Sequence, residues 1–349
     1  NLLKRAVETG RISHAYLFFG SESVGKKYTA IQFAKVLNCT QNLPDSCDIC
    51  FSCQQIDKGI HPDFQLIEPA VGKKRIYMID GVEQLIEPDG IHIKIDQIRE
   101  LKRNSQLSVT VGKKRIYIID GVEKMEEEAC NSFLKTLEEP TKSAVFLLIT
   151  ANIEALLPTI ISRCQLIHFN PLGLKEIKEI LEKKYEISSQ LAELPSRLSN
   201  GKISEALRIY DEKILEKRKE IIDLLLNLSL DRVDNMFSKV EGWVKKKKSQ
   251  DIDEEIKKEN SQNIYDILNL ISSWYRDILI YKECKGDVEM LTNIDKTDKI
   301  STFTNKFETE NLNKILENIE ITKWMISSNI NKQLAIENMF LDIASKYKG

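Results

Sequence analysis

Gly20-Ser21-Glu22-Ser23-Val24-Gly25-Lys26 stands between an apolar run, Ala15–Phe19, and a helical pattern, Tyr28–Leu37. A strand, a glycine-bearing turn and a helix in that order form the phosphate-loop pattern G-x-x-x-x-G-K. The glycines let backbone N–H groups curl around phosphate oxygens, and the helix N-terminus adds the positive end of its dipole. The pattern asks next for Ser or Thr to hold magnesium, but Lys27 stands there, and an ammonium cannot ligate a cation. Two readings stay open: a strand-turn-helix without nucleotide, and a phosphate loop impaired in hydrolysis, which fits better.

Outward from this loop the first half alternates apolar runs with helical patterns, as a parallel sheet covered by helices does. Arg115–Asp120 contains Ile116-Tyr117-Ile118-Ile119, continuous and β-branched, as a strand buried on both faces should be. Val145–Thr150 and Gln165–Phe169 read the same way. Glu126–Glu138 places Ala129, Phe133, Leu134 and Leu137 on one helical face, and Pro140 stops it. Near Pro171 the strands end and helices follow, among them Leu174–Tyr185, Ile203–Tyr210 and the apolar stripe from Ile264 to Leu279. The expected fold is therefore α/β, a phosphate-loop domain with a parallel sheet, followed by helical domains. The divisions expected are 1–170, a small helical domain at 171–212 and a larger helical one at 213–349. Lys245–Asn260 reads as a solvated loop or helix end.

A repeat interrupts this order. Val71–Tyr77 recurs as Val111–Tyr117, the match runs on through Asp80–Glu83 and Asp120–Glu123, and Gln65–Pro69 recurs as Gln84–Pro88. A solenoid would repeat throughout, and this chain does not. The segment 65–83 reads as an insertion of copied sequence, either an added edge strand or a loop.

Four of the seven cysteines, Cys39, Cys47, Cys50 and Cys53, fall within fifteen residues. With no export signal, such a cluster reads as a metal site before it reads as disulfides. Four thiolates close a tetrahedral zinc shell with no open position, so the expected ion is structural Zn2+. Asp45 and Asp48 between them are expected to be solvated, and Cys130, Cys164 and Cys284 read as core or half-buried thiols.

Composition sets outer limits. An apolar fraction of 42% supports real cores, and 51 Lys+Arg against 53 Asp+Glu leave a net charge of −2, so any nucleic-acid contact must come from a local patch. No run of 18 apolar residues suggests a membrane span. The start at Asn1, without an initiator Met or signal-peptide core, reads as a truncated cytosolic chain.

Ser13-His14-Ala15-Tyr16-Leu17, the cysteine module, Ile95–Arg99, Asn131–Pro140, Ser162-Arg163-Cys164 and Asn331–Glu337 together resemble the bacterial clamp-loader AAA+ family of DNA polymerase III, over nearly the whole chain. The resemblance implies a AAA+ domain, a three-helix lid and a helical collar that closes a hetero-pentamer with gamma/tau and delta subunits. It implies work on the sliding clamp and primed DNA, in the cytoplasm and at the nucleoid or replisome. Gly20, Gly25, Lys26, Lys27 and Asp120 map onto the family's nucleotide site for ATP or ADP. Lys27, Gly121 where AAA+ ATPases carry a water-activating Glu, and Glu205 at a basic sensor position all depart from an active site. These departures resemble the delta-prime branch, with hydrolysis unlikely and no independent catalysis expected outside the polymerase holoenzyme. Arg163 is implied to act in trans on a neighbour's nucleotide, against the alternative of a surface arginine paired with a local carboxylate. Two other functions remain on the table: an active gamma/tau-type ATPase, and a zinc-dependent DNA-binding module. The family's usual N-terminal segment and a counterpart for 65–83 are not found in the pattern.

Overall fold

The computed structural model describes residues 2–41, 45–69, 75–79, 82–86, 92–210, 212–228, 233–244, 254–328 and 330–346. The chain divides into two compact units, Asn1–Pro171 and Leu172–Gly349.

In the first unit five strands form a parallel sheet: β1 (Ala15–Phe19), β2 (Phe64–Ile67), β5 (Arg115–Asp120), β6 (Ala144–Thr150) and β7 (Gln165–His168), in the order β2-β5-β6-β1-β7. Strand alternation sends one set of side chains to each face. Ala15, Leu17, Tyr117, Ile119, Phe146 and Leu148 meet Ile98 and Leu101 of α4 (Ile95–Ser105) and Phe133 and Leu137 of α5 (Glu127–Glu138). Tyr16, Phe18, Ile116, Ile118, Val145 and Leu147 meet Ala30, Phe33, Ala34 and Leu37 of α2 (Lys26–Asn38) and Ile56 of α3 (Phe51–Asp57). Two faces covered by helices explain why β5 and β6 read as unbroken apolar runs. The strand at Gln165 differs from its expectation: β7 lies at the edge, paired only with β1, and is largely exposed. α1 (Leu2–Thr9) and a short α6 (Pro158–Ile161) complete this unit.

Among the described residues of the repeated segment, the surplus strand does not extend the edge of the main sheet. β3 (Arg75–Ile79) and β4 (Val82–Ile86) pair with each other as an antiparallel hairpin outside the main sheet. Gln65–Ile67, at the start of the segment, belong to β2 of the main sheet. Residues 70–74, 80–81 and 87–88 of the repeat lie outside the described residues.

In the second unit every described strand or helix is a helix: α7 (Leu174–Tyr185), α8 (Ser189–Leu198), α9 (Ile203–Ile209), α10 (Glu212–Leu226), α11 (Val233–Val244), α12 (Glu254–Glu283), α13 (Thr297–Thr304), α14 (Thr309–Ser327) and α15 (Lys332–Ser345). Ile177, Leu181, Ile187, Ala192 and Ala206 form a small core for the first three. A larger core holds Trp274, Tyr275, Phe307, Ile315, Met339 and Phe340. Of the charged stretch Lys245–Asn260, residues 245–253 lie outside the described residues and 254–260 begin α12.

The approach to β5 is fixed by two buried side chains on other elements. The Asp63 carboxylate accepts backbone N–H bonds from Thr110, Val111 and Gly112 at 2.7–2.8 Å and pairs with Arg115 at 3.4 Å. Asn38, at the end of α2, accepts from the N–H groups of Lys113 and Lys114 and donates to the Lys114 carbonyl. A Cβ on Gly112 would stand 2.7 Å from the Asn38 amide oxygen, so this glycine is needed for the close approach. Burial disfavours the charge on Asp63, but the three N–H donors and Arg115 outweigh it and hold the carboxyl below its usual range.

Asp63→Ala should destabilise the fold by about 3–5 kcal/mol, because it strands a buried guanidinium and three N–H donors. Urea unfolding followed by far-UV circular dichroism measures this. A depressed folded-state pKa means that the contribution is present above the unfolded-state value of about 3.9 and is lost as pH falls through the folded value. The stability difference between wild type and Asp63→Asn should therefore shrink below about pH 4.

Candidate functional site

β1 delivers the chain to the phosphate loop at Gly20, whose φ is +142°. A Cβ there would lie 2.1 Å from the Phe169 carbonyl oxygen, so only glycine passes β7 at this point. Gly25, at φ +92°, caps α2 and turns the loop into the helix. Lys26 is 7% exposed, and its Nζ donates to the carbonyls of Gly20 and Ser21 at 2.5 and 2.6 Å. The loop lysine thus lies across its own loop, on oxygens that phosphate oxygens could replace.

The neighbouring lysine faces the sheet. Lys27 Nζ lies 2.6 Å from Glu68 Oε1 and 3.5 Å from Asp120 Oδ2. Asp120 ends β5, and Glu68 follows β2, its parallel neighbour, so the two carboxylates stand side by side at the C-terminal edge of the sheet. Burial raises the Asp120 carboxyl despite the nearby ammonium. Burial lowers Lys27, but its contacts with Glu68 and Asp120 outweigh this and raise it overall. Gly121 sits at φ +82° and opens a short 3-10 turn, Val122–Lys124. A glycine here leaves no side chain to activate a water. Glu123 lies within that turn, three residues after Asp120, where its charge adds to the rise of the Asp120 carboxyl, and one of its carboxylate oxygens is buried and unbonded. Glu205, in α9 of the second unit, pairs with Arg208, which also pairs with Asp266.

The four-cysteine cluster is built by the ends of two helices. Cys39 follows α2, Cys50 caps α3, Cys53 lies within α3, and Cys47 comes from the loop between them. Their sulfur atoms all lie within 4.8 Å of one another. A tetrahedral shell with Zn–S of about 2.3 Å needs sulfurs about 3.8 Å apart, so a small contraction closes the site. The Cys50 N–H donates to Cys47 Sγ at 3.3 Å. Burial works against charge on Cys50, but hydrogen bonds from Thr40 and the Cys53 backbone draw its thiol down to about 6. Burial pushes Cys53 up to about 12. All donors are soft thiols and two are buried, which suits a structural zinc and not a catalytic one. Asp48 is not merely solvated: it pairs at 2.5 Å with Lys35 of α2, which also holds Asp57 of α3. Asp45 pairs with Lys4. Cys284 is exposed, whereas Cys130 and Cys164 are half-buried.

Arg163 lies just after α6 and before β7, 34% exposed. Its guanidinium binds Glu138 at 2.8 Å and the Thr159 carbonyl at 3.0 Å. Within this chain it is therefore an arginine paired with a local carboxylate, well separated in sequence from the phosphate loop.

Three functional neighbours were not read from the sequence: Glu68, Lys35 and Glu138. Glu68 recurs as Glu87 in the repeated segment, so the sequence held no basis for choosing the one that meets Lys27.

Residues 1–173 match the family model described as DNA polymerase III, delta subunit, and residues 243–345 match the one for its C-terminal part. Subunit delta-prime of DNA polymerase III from Bacillus subtilis is 31% identical over 345 residues, which cover 97% of this chain and 93% of that protein. The Pseudomonas aeruginosa delta-prime subunit is 30% identical over 60% of each chain. DNA polymerase III subunit tau from Escherichia coli is 30% identical over 69% of this chain, which spans only 36% of tau. Among solved structures, a gamma subunit-related protein of DNA polymerase III from Thermotoga maritima shares the fold, with a TM-score of 0.52 at 19% identity over 99% and 98% of the two chains. An α/β AAA+ domain followed by an all-α part is the common architecture. Among the described residues no helix is long and apolar enough to cross a membrane.

Metal analysis of gently purified protein should find about one zinc per chain, held by Cys39, Cys47, Cys50 and Cys53. Cys50→Ser should lower zinc content and melting temperature while far-UV circular dichroism keeps its helical signal. Full zinc occupancy in Cys50→Ser would show that the ligand set is wrong.

Proposed function

This chain belongs to the DNA polymerase III delta-prime subunit family, and we propose that it serves as a delta-prime-type component of the clamp loader, which places the sliding clamp on primed DNA. The observation that carries the reading is the likeness to the Bacillus subtilis delta-prime subunit along almost the full length of both chains. Its partners are gamma/tau and delta subunits in a hetero-pentamer, with clamp and DNA reached through the complex. Residues 171–212 serve as the lid and 213–349 as the collar that joins the ring.

The chain itself hydrolyses little or no ATP. Three features support this: a lysine in place of the magnesium-binding hydroxyl, a lysine-bridged pair of carboxylates, and a glycine after Asp120. These same features weigh against the active gamma/tau-type reading. The net charge of −2 and a closed set of four thiols weigh against a zinc-dependent DNA-binding module.

Arg163 acts on the neighbouring subunit's nucleotide. In the free chain Glu138 holds its guanidinium. On assembly, phosphoryl oxygens of the neighbour's nucleotide take over from that exposed ion pair, which by itself contributes little. Arginine suits the role because its planar fork stays charged and makes two contacts at once.

The first test is co-purification with gamma/tau and delta, together with ATP turnover by the chain alone. A chain that ignores those subunits, or turns over ATP strongly by itself, contradicts the proposal. Arg163→Ala should assemble and keep its zinc, yet lower DNA-stimulated ATP hydrolysis by the complex by about tenfold or more, less than the 10³–10⁵ seen for single-site fingers. Arg163→Lys should rescue poorly. Normal loading rates with the Ala variant rule out the trans-acting role.

A further inference from the structure

The place usually given to a divalent cation in a phosphate-loop site lies between the hydroxyl after the loop lysine and the acidic end of a neighbouring strand. Here an ammonium stands at that place. Lys27 projects from the first turn of α2 toward Glu68 and Asp120, at 2.6 and 3.5 Å. The register of β2 on β5, with Ile67 opposite Ile119, sets these two carboxylates beside each other, so one cation can serve both. Gln97 of α4 donates to the Glu68 backbone carbonyl at 3.0 Å and holds that end of β2 in place.

Charge and coordination both bear on what this site can accept. One ammonium occupies the gap between the two carboxylates and neutralises half of their charge, while Glu123 adds a further negative charge near Asp120. Magnesium demands near-octahedral oxygen ligands at about 2.0–2.1 Å and one or two carboxylates of its own. To bind here it would have to displace Lys27, which remains tethered nearby as a like charge. The phosphate-binding parts do not need the metal. The loop backbone and the start of α2 need no metal to meet a phosphate, and Lys26, whose ammonium rests on the carbonyls of Gly20 and Ser21, can exchange these for phosphate oxygens.

We propose that Lys27 is the built-in countercation of this site, so that the chain binds a nucleoside di- or triphosphate without a divalent metal, and that Lys27 determines this preference. The inference rests on the degenerate nucleotide site within the proposed clamp-loader role. The compact charge that would assist phosphoryl transfer is then fixed to the protein and paired with carboxylates. A bound nucleotide would serve as a structural ligand.

The test reads binding by the purified full chain, so it stands whether or not the clamp-loader complex assembles. Fluorescent ADP and ATP analogues are titrated in buffer with excess magnesium and in buffer from which magnesium is omitted. Chelators are avoided because they would strip the cysteine site, and zinc content is checked in each sample. For wild type the two dissociation constants should agree within about twofold, well under the tenfold that corresponds to 1.4 kcal/mol. Lys27→Ser restores the hydroxyl and should bind about tenfold tighter with magnesium than without it. Lys27→Gln keeps the stem without the charge and should lose about tenfold in magnesium-free buffer. Wild-type binding that requires magnesium, or no wild-type binding in either buffer, overturns the proposal. So does a folded Lys27→Ser variant with no magnesium dependence. Should Lys27→Ser fail to fold, the wild-type pair of titrations and Lys27→Gln decide the matter.

Discussion

A carboxylate with no exposed side-chain surface holds the first unit together at its least regular point. Asp63 takes three consecutive N–H groups from the loop that leads into β5, and Asn38 takes the next two. A fully buried donor left unpaired costs about 1–3 kcal/mol, and these half-buried ones cost less each but act together. Together the two side chains set where β5 begins, and a strand of fixed rise then sets where it ends, at Asp120. The same clamp reaches the cysteine cluster, because Cys39 follows Asn38 directly and its carbonyl accepts from Lys113 Nζ at 2.5 Å. The cysteine cluster and the loop end of the sheet are thus tied to one short stretch of backbone.

What could be read from the sequence was mostly local. The phosphate loop, the four cysteines and Ser162-Arg163-Cys164 each carry their information within fifteen residues, and the structure puts the cysteines together as the spacing implies. β5 and β6 were legible because burial on both faces leaves a continuous apolar run. The same rule misled at β7, whose apolar residues lie at a sheet edge, since sequence alone does not reveal strand order. Partners distant in sequence were not legible: Glu68 for Lys27, Asp57 for Lys35 and Glu138 for Arg163 lie 41, 22 and 25 residues away from the residues they meet. Each of these contacts depends on how helices and strands come together, and no short pattern encodes it.

Under the proposed reading, a nucleotide-binding scaffold is kept while its chemistry is altered. Gly20 cannot be replaced without striking the Phe169 carbonyl, and Gly25 has the left-handed conformation that starts α2. Those constraints belong to the fold and hold whether or not a phosphate is turned over. Lys27 and Gly121 occupy the two positions that depart from the motif, and Gly121, at φ +82°, carries a backbone constraint of its own. The sheet, its helix and the loop turn are formed with a lysine and a glycine at these two positions.

The hairpin formed by β3 and β4 has a consequence of its own. The string Gln-Leu-Ile occurs in β2, where it runs parallel to β5, and again in β4, where it runs antiparallel to β3, whose own sequence nearly copies β5. Identical residues thus adopt opposite pairings, and chain connectivity decides which. Because the copied boundaries coincide, excising 65–83 joins Phe64 to Gln84 and regenerates Phe-Gln-Leu-Ile-Glu-Pro in the same reading. Glu87 then falls into the place of Glu68 opposite Lys27. The segment is a seamless splice in sequence: the chain with it and the chain without it spell the same edge strand and the same acidic partner.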